Sequence, residues 1–246
     1  SINIKFLLKI MNFDFLILGS KGQISSDFIK KLNLKCVYIS YKKFITNSNI
    51  IEKKINKYKP KFLINCFADT DVENSNSKFI ESYKSNSLIV IQLTEICNKY
   101  KILLIHISTD FIHNGKKSIY NENDEYKPLN VYGISKSIGE IYIQNFSKSF
   151  VIFRAGWLFS EQKSSFLYKL FKKLSTQSTV EIVNFEYGRP TSANYFTNTI
   201  LNTINLLKFK DFENQIFNIS QQPTLSRFDF AKAILIEFQK KGKFLD

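Results

Sequence analysis

Arginine is almost absent from this basic chain. Of 35 Lys and Arg residues among 246, three are Arg (Arg154, Arg189 and Arg227), although the formal net charge is +14. A charge of that sign and size suits a nucleic acid or an anionic membrane. Here the excess is scattered lysine that accompanies much Asn, Ile, Phe and Tyr, the bias of an A+T-rich coding sequence, with no Arg-rich or aromatic-basic groove pattern. The reading is a solvated Lys-rich surface and no nucleic-acid partner. No apolar run approaches the roughly 18 residues a membrane span needs, so no membrane partner is expected. Cysteine is scarce too: Cys36, Cys66 and Cys97 are odd in number, far apart and each inside an apolar run. That pattern fits neither a disulfide framework nor a zinc ligand set, and no metal is expected. The three read as small core residues of a reducing compartment, the cytoplasm. The opening Ser1–Ile10 is not followed by a small-residue cleavage site, and Met11 reads as the natural start.

What is present is a core-forming composition, 44% hydrophobic with 24 Phe, on a length sufficient for one large α/β domain or for a nucleotide domain with an appendage. Short apolar runs at 13–18, 35–39, 61–65, 102–107 and 150–153 alternate with helical periodicity at 22–32, 48–58, 78–100, 130–147, 164–174, 194–207 and 226–240. This alternation predicts βαβ units: an α/β fold with a Rossmann-type doubly wound parallel sheet. Beyond Arg154 shorter strands at 180–183 and 216–219 suggest a smaller C-terminal substrate-binding region over the carboxyl ends of the sheet. The expected division is 11–154 for the dinucleotide-binding domain and 155–246 for that region.

Glycine numbers only 8, and two of them, Gly19 and Gly22, fall at the first strand-to-helix junction in Gly19-Ser-Lys-Gly22-Gln23-Ile24-Ser25. Glycines there permit a tight turn and let backbone N–H groups approach a pyrophosphate at a helix N-terminus. Ser25 stands where the third glycine of the fingerprint falls, small enough for helix–sheet packing. After the second strand no Asp or Glu is present to take a ribose 2′-OH. Ser40-Tyr41-Lys42-Lys43 offers a hydroxyl and cations instead, which suits a 2′-phosphate: NADP(H) is preferred, with NAD(H) as the other option. The third strand ends in Asn65-Cys66-Phe67-Ala68, small enough to line a cofactor path.

Tyr-x-x-x-Lys occurs at Tyr38/Lys42, Tyr132/Lys136 and Tyr168/Lys172. Only the middle copy follows an apolar strand that ends in hydroxyls, Ser108-Thr109-Asp110. Four residues apart on a helix, Tyr132 and Lys136 share a face. A nearby ammonium lowers a phenol's pKa, so Lys136 is expected to make Tyr132 a better acid, with Thr109 and Ser108 orienting the substrate oxygen. His106, alternating with apolar residues inside a strand, reads as a core histidine. His113 lies in a turn with no partner that would make a metal site or triad.

In order, Gly-Ser-Lys-Gly-Gln, Ile64-Asn65-Cys-Phe-Ala, Ser108-Thr109-Asp110-Phe111, Pro128-Leu-Asn-Val-Tyr-Gly-Ile-Ser-Lys136, Phe153-Arg154-Ala-Gly-Trp157 and Tyr187-Gly188-Arg-Pro-Thr191 resemble the motifs of the dTDP-4-dehydrorhamnose reductase family, extended short-chain dehydrogenase/reductases. The resemblance runs from Met11 to Gln239. It implies NAD(P)H on Gly22, Gln23, Ile24, the Cys66-Phe67-Ala68 turn, Tyr132 and Lys136, a sugar nucleotide on Thr109, Asp110 and Trp157, and Tyr132 as the acid. The implied reaction is reduction of a nucleotide-linked 4-keto-6-deoxy sugar in dTDP-rhamnose synthesis, with a homodimer left open. The residues leave room for a non-catalytic NAD(P)-binding subunit of the same fold, or for a sugar-nucleotide epimerase or dehydratase. Phe111 stands where the family usually has Tyr, His113-Asn114 where it has an aromatic-Asp pair, and Ala155-Gly156 where it has Thr-Ser. Family members also continue beyond the position of Asp246, so the substrate region is expected to be incomplete at its carboxyl end.

Overall fold

Short apolar strands and amphipathic helices alternate along the chain: β1 (Phe15–Leu18), α1 (Gln23–Leu32), β2 (Cys36–Ile39), α2 (Tyr41–Thr46), α3 (Ile50–Tyr58), β3 (Phe62–Asn65), α4 (Phe79–Tyr83), α5 (Ile89–Tyr100), β4 (Leu103–Thr109), α6 (Val131–Phe146) and β5 (Phe150–Ala155). Then follow β6 (Trp157–Phe159), α7 (Phe166–Leu174), β7 (Tyr187–Gly188), β8 (Pro190–Ser192), α8 (Ala193–Leu206), β9 (Gln215–Ile219), β10 (Leu225–Ser226) and α9 (Arg227–Lys240). This computed structural model describes residues 14–47, 49–163, 165–206 and 214–240; the expected start at Met11, Phe13 of the first strand and residues 241–246 lie outside them.

Six strands form one sheet in the order β2-β1-β3-β4-β5-β9, all pairs parallel. Side chains alternate across its two faces. Leu16, Leu18, Leu63 and Leu104 pack on one face with Ile51 and Ile55 of α3, Val90 and Leu93 of α5 and Ile143 of α6. Phe15, Ile17, Ile64 and Ile105 pack on the other with Ile24 and Phe28 of α1 and Phe196 and Ile200 of α8. The sheet is therefore doubly wound, and its parallel strands deliver the loops after β1 to β5 to one carboxyl edge.

Two expectations need correction. The strand expected at 216–219 in the smaller region is β9, paired with β5 from Val151↔Gln215 to Ala155↔Ile219. Its apolar side chains explain this, because Phe217 stacks on Phe153 at 5.5 Å and Ile219 is buried in the sheet's second core. With α8 also covering the sheet, a division at 154/155 does not separate the sheet from the later chain. No strand forms at 180–183, where Val180 and Ile182 pack instead onto the cluster of Leu170, Phe230, Ala231 and Ile234 from α7 and α9. The short pairs β6·β8 and β7·β10 accompany that third cluster.

The helix expected over 78–100 holds a π-helical turn, Lys84–Leu88, between α4 and α5. Its buried Ser85, Asn86 and Ser87 face α6, where Ser87 Oγ donates to the Ser135 carbonyl at 2.8 Å and Asn86 Nδ2 to Ser135 Oγ at 3.0 Å. Gly139 makes this approach possible: a Cβ there would lie 2.6 Å from the Asn86 carbonyl oxygen. Gly139→Ala is expected to push α6 off the π-turn and to destabilise the fold by about 1–3 kcal/mol. Denaturant unfolding of the variant measures this, and an unchanged midpoint would show that α6 has slack there.

Candidate active site

The β1–α1 loop is built on Gly19, whose φ of +93° is a conformation that favours glycine and whose Cβ would fall 2.9 Å from the Cys66 carbonyl oxygen. Gly19 N–H donates to the Ile39 carbonyl at 2.9 Å, and Gly22 N–H to Gly19 O at the same distance. Ser25, fully buried, donates through Oγ to Gly19 O and accepts from Gly22 N–H at 3.1 Å. The serine in place of the third glycine thus ties the loop together from within.

The loop walls a cavity of about 210 Å³ that Gly19, Gly22, Lys42, Cys66, Phe67 and Ala68 all line, so six expected cofactor residues meet at one place. Lys21, Ser40 and Tyr41 line it as well. Lys21 and Tyr41 had no distinguishing sequence signal in a chain rich in both types. Ser40 caps α2 by accepting from Lys43 N–H at 3.4 Å, and the cap brings Lys42 to the cavity rim in the helix's first turn. Gln23, Ile24, Tyr132 and Lys136 do not line the cavity. Ile24 is buried in the core, and Gln23 Oε1 accepts from Ser160 Oγ at 2.7 Å.

Asn130 starts α6 by accepting from Gly133 N–H at 2.8 Å, and the helix then carries Tyr132 and Lys136 inward against the end of β4. Tyr132 is 8% exposed and Lys136 1%. Burial pushes the Tyr132 phenol up to about 12; the Thr109 hydroxyl lowers it, and the Asp110 and Asp69 carboxylates raise it further. The expected lowering by Lys136 is absent, because the lysine points elsewhere: Nζ donates to the Ile107 carbonyl at 2.7 Å and lies 3.3 Å from His106 Nε2. Burial brings Lys136 itself down to about 8, opposed chiefly by the charge of Glu140. Ser108 is not available to a substrate oxygen either, since its Oγ donates to Glu140 Oε1. Thr109 accepts from Phe111 N–H at 3.3 Å and stands next to Asp110.

Asp110 is exposed as a residue, but protein crowds its carboxyl and raises it to about 6, opposed first by Thr109 and also by the charge of Arg227. Gly156 lies beside it, since a Cβ there would meet Asp110 Oδ2 at 3.4 Å, and Trp157 follows in the chain. The indole packs over Gly188 and carries the Arg227 guanidinium 3.7 Å from its ring centroid. Arg227 also faces Glu186, Nε to Oε2 at 3.6 Å. Nothing in the sequence placed Arg227 here except the rarity of arginine. Among the described residues no three His, Cys, Asp or Glu side chains gather as a metal ligand set, and no helix is long and apolar enough to cross a membrane.

A doubly wound parallel sheet with a glycine loop after β1 and a Tyr-x-x-x-Lys helix packed beside β4 is the architecture of the short-chain dehydrogenase/reductases. Residues 13–245 match the family described as the RmlD substrate binding domain, and the chain belongs to that family. It is 27% identical over 229 residues to dTDP-4-dehydrorhamnose reductase of Aggregatibacter actinomycetemcomitans, an alignment spanning 90% of this chain and 78% of that protein. The structure of a dTDP-4-dehydrorhamnose reductase from Clostridium acetobutylicum superposes with a TM-score of 0.82 at 26% identity, over 94% of this chain and 81% of the other. The NADP complex of the dTDP-4-dehydrorhamnose reductase from Bacillus anthracis shares the fold, with a TM-score of 0.84 at 23% identity over 96% and 83%.

Lys136 loses its proton near pH 8 in the folded chain, while an ordinary lysine does so near 10.5. Between those values the unfolded chain binds more protons, so stability rises with pH through that window. Unfolding free energies of the wild type and Lys136→Met, compared from pH 8 to 10.5, are expected to shift in favour of the wild type by an amount on the order of 3 kcal/mol. A difference that does not vary with pH would mean that Lys136 keeps its ordinary affinity for a proton.

Proposed function

We propose that this protein reduces the keto group of a nucleotide-linked 4-keto-6-deoxy sugar with NADPH, in a reducing, cytoplasmic setting that suits its three free thiols. The observation that carries the proposal is the adjacency of three strand ends: the glycine cavity after β1, its lining from Cys66 to Ala68 after β3, and Thr109 with Tyr132 and Lys136 after β4. The relatives' names support the reading, among them a dTDP-4-keto-6-deoxy-D-glucose reductase from Streptomyces niveus. The cavity suits the phosphate-bearing part of a dinucleotide, because glycine backbone lines it at the start of α1 and Lys21 and Lys42 stand where phosphate charge is to be held.

A bound reduced nicotinamide supplies a hydride to the keto carbon. The protein's part is to hold the keto oxygen and protonate it as it becomes an alkoxide. Tyr132, raised to about 12, keeps its proton throughout the neutral range and is ready to donate. An alkoxide is more basic still, so the transfer runs downhill. Thr109 stands close enough to the phenol to lower its pKa and sits where it can orient the same oxygen. Asp110 and Trp157 stand on the sugar side of Thr109, and Lys136 on the cofactor side.

Tyr132→Phe is expected to lower turnover of a dTDP-linked 4-keto-6-deoxy sugar by about 10²–10⁴-fold while leaving NADPH affinity largely intact. NADPH oxidation followed by absorbance measures the first and fluorescence titration the second; near-normal turnover would remove Tyr132 from the mechanism. Lys42→Ala is expected to narrow the preference for NADPH over NADH. That preference should also shrink with rising salt, because a lysine–phosphate contact at the rim is screened. Equal affinities for the two cofactors in wild type at low ionic strength would overturn the role given to Lys42.

A further inference from the structure

Asn65, His106 and Lys136 form a buried file. Asn65 at the end of β3 is register partner to His106 in β4, and Lys136 of α6 lies over them; the first two are fully buried and Lys136 is 1% exposed. Without water, each polar atom must find its partner in the protein.

The direction of the hydrogen bonds along this file is fixed at one end. Phe67 N–H, a backbone group that only donates, gives its proton to Asn65 Oδ1 at 3.0 Å. That sets the amide, so Asn65 Nδ2, which also only donates, faces His106 Nδ1 at 3.0 Å. His106 Nδ1 must then carry the lone pair, and the ring proton sits on Nε2. Nε2 lies 3.3 Å from Lys136 Nζ. An Nε2–H needs an acceptor there, and an ammonium has none, whereas a neutral amine does. The amine's own hydrogen is placed as well, on the Ile107 carbonyl at 2.7 Å.

We infer that Asn65 and His106 are positioning residues that favour the neutral amine of Lys136 in the free protein, through a chain of fixed polarity anchored on the cofactor loop at Phe67. Two other titratable groups face Lys136, and of these only Glu140 favours the ammonium. The Cys66 thiol is pushed up to about 12 by burial and brings no charge, and the Glu140 carboxylate is already committed to Arg154 and Ser108. Burial draws Lys136 down to about 8, in the same direction. His106 is held neutral by burial, with its pKa well below the ordinary value. Lys136 lies within charge range of Cys66, which lines the cavity, so the consequence is that an anionic dinucleotide bound there favours the ammonium and its binding takes up a proton. This last step rests on the dinucleotide reading of the cavity; the polarity of the chain does not.

The chain holds two histidines, His106 and His113, so ¹⁵N-histidine NMR with His113→Asn for assignment reads the tautomer directly. At pH 9, His106 is expected to carry its proton on Nε2. Asn65→Asp turns the anchor into a double acceptor, which takes both Phe67 N–H and His106 Nδ1–H. The tautomer should then switch to Nδ1–H and leave Nε2 to accept from a Lys136 ammonium. A wild-type signal showing Nδ1–H overturns the proposal whether or not the variant folds. Calorimetric titration with NADPH in two buffers of unlike ionisation enthalpy reads the linkage: if the bound lysine regains its reference value near 10.4, roughly 0.9 proton is taken up per site at pH 9. Asn65→Asp should take up close to none. NADPH binding without uptake in the wild type overturns the coupling, while no NADPH binding at all defeats the dinucleotide reading and leaves the tautomer result to decide the polarity.

Discussion

The structure around the site depends on one buried ion pair. Arg154 of β5 and Glu140 of α6 are 2% and 0% exposed, and they meet through Nε and Nη2 on Glu140 Oε2 at 3.0 and 2.8 Å. Stripping water from two such charges is costly and is offset only when the remaining lone pairs and protons are also satisfied. Here they are: Arg154 Nη1 donates to the Glu122 carbonyl, Nη2 to the Tyr126 hydroxyl, and Tyr126 in turn donates to Glu140 Oε2. Ser108 Oγ donates to the other carboxylate oxygen. The pair therefore locks α6, β4 and β5 together one helical turn from Lys136 and one residue from Thr109. A lysine could supply neither the planar fork nor the several donors this requires. In a chain whose composition otherwise replaces Arg by Lys, geometry accounts for the arginine retained at position 154.

Legibility in the sequence followed how local each feature is. The strands of the sheet, the Gly19–Gly22 turn and the Asn130-capped helix carrying Tyr132 were readable, because alternation, turn residues and caps act within a few positions. What failed was non-local. β9 reads from the sequence as part of the smaller region, because a short apolar strand does not announce which edge it joins. α2 was not foreseen because its six residues depend on the Ser40 cap more than on periodicity. Spacing alone assigns Lys136 to the Tyr132 phenol, yet the direction of its Nζ is set by the register that places His106 and Ile107 beneath it. Likewise His106 reads as a core residue until Asn65 is seen to lie beside it across the β3–β4 ladder.

The two halves of the site are built from unlike materials. The cofactor half consists of backbone turns clamped by glycine and by Ser25 onto strand ends, so its shape follows from the sheet. The outer half hangs on two- and three-residue strand pairs and on side-chain packing, with Trp157 held between Gly188 and Arg227. Departures from the family motifs fall at the ends of β4 and β5 and in the loops that follow them: Phe111, His113 and Asn114 after β4, and Ala155 and Gly156 at the close of β5.

Two of those departures explain each other. His113 stacks on Tyr120 at 4.3 Å, and Asn114 Oδ1 accepts from the Tyr120 hydroxyl at 2.7 Å, while Lys117 pairs with Asp124 in the same loop. Side chains at 113 and 114 are thereby engaged in holding the loop to itself. In the proposed reading, choice of sugar then falls on Asp110, Trp157 and Arg227, three side chains already in mutual contact or charge range before any ligand arrives. On that reading, the stacked cation would meet an anionic phosphate and the carboxyl, which burial raises to about 6, would meet sugar hydroxyls. A guanidinium stacked through its face keeps its N–H edge free for such an anion, so the stack and the phosphate contact would not compete.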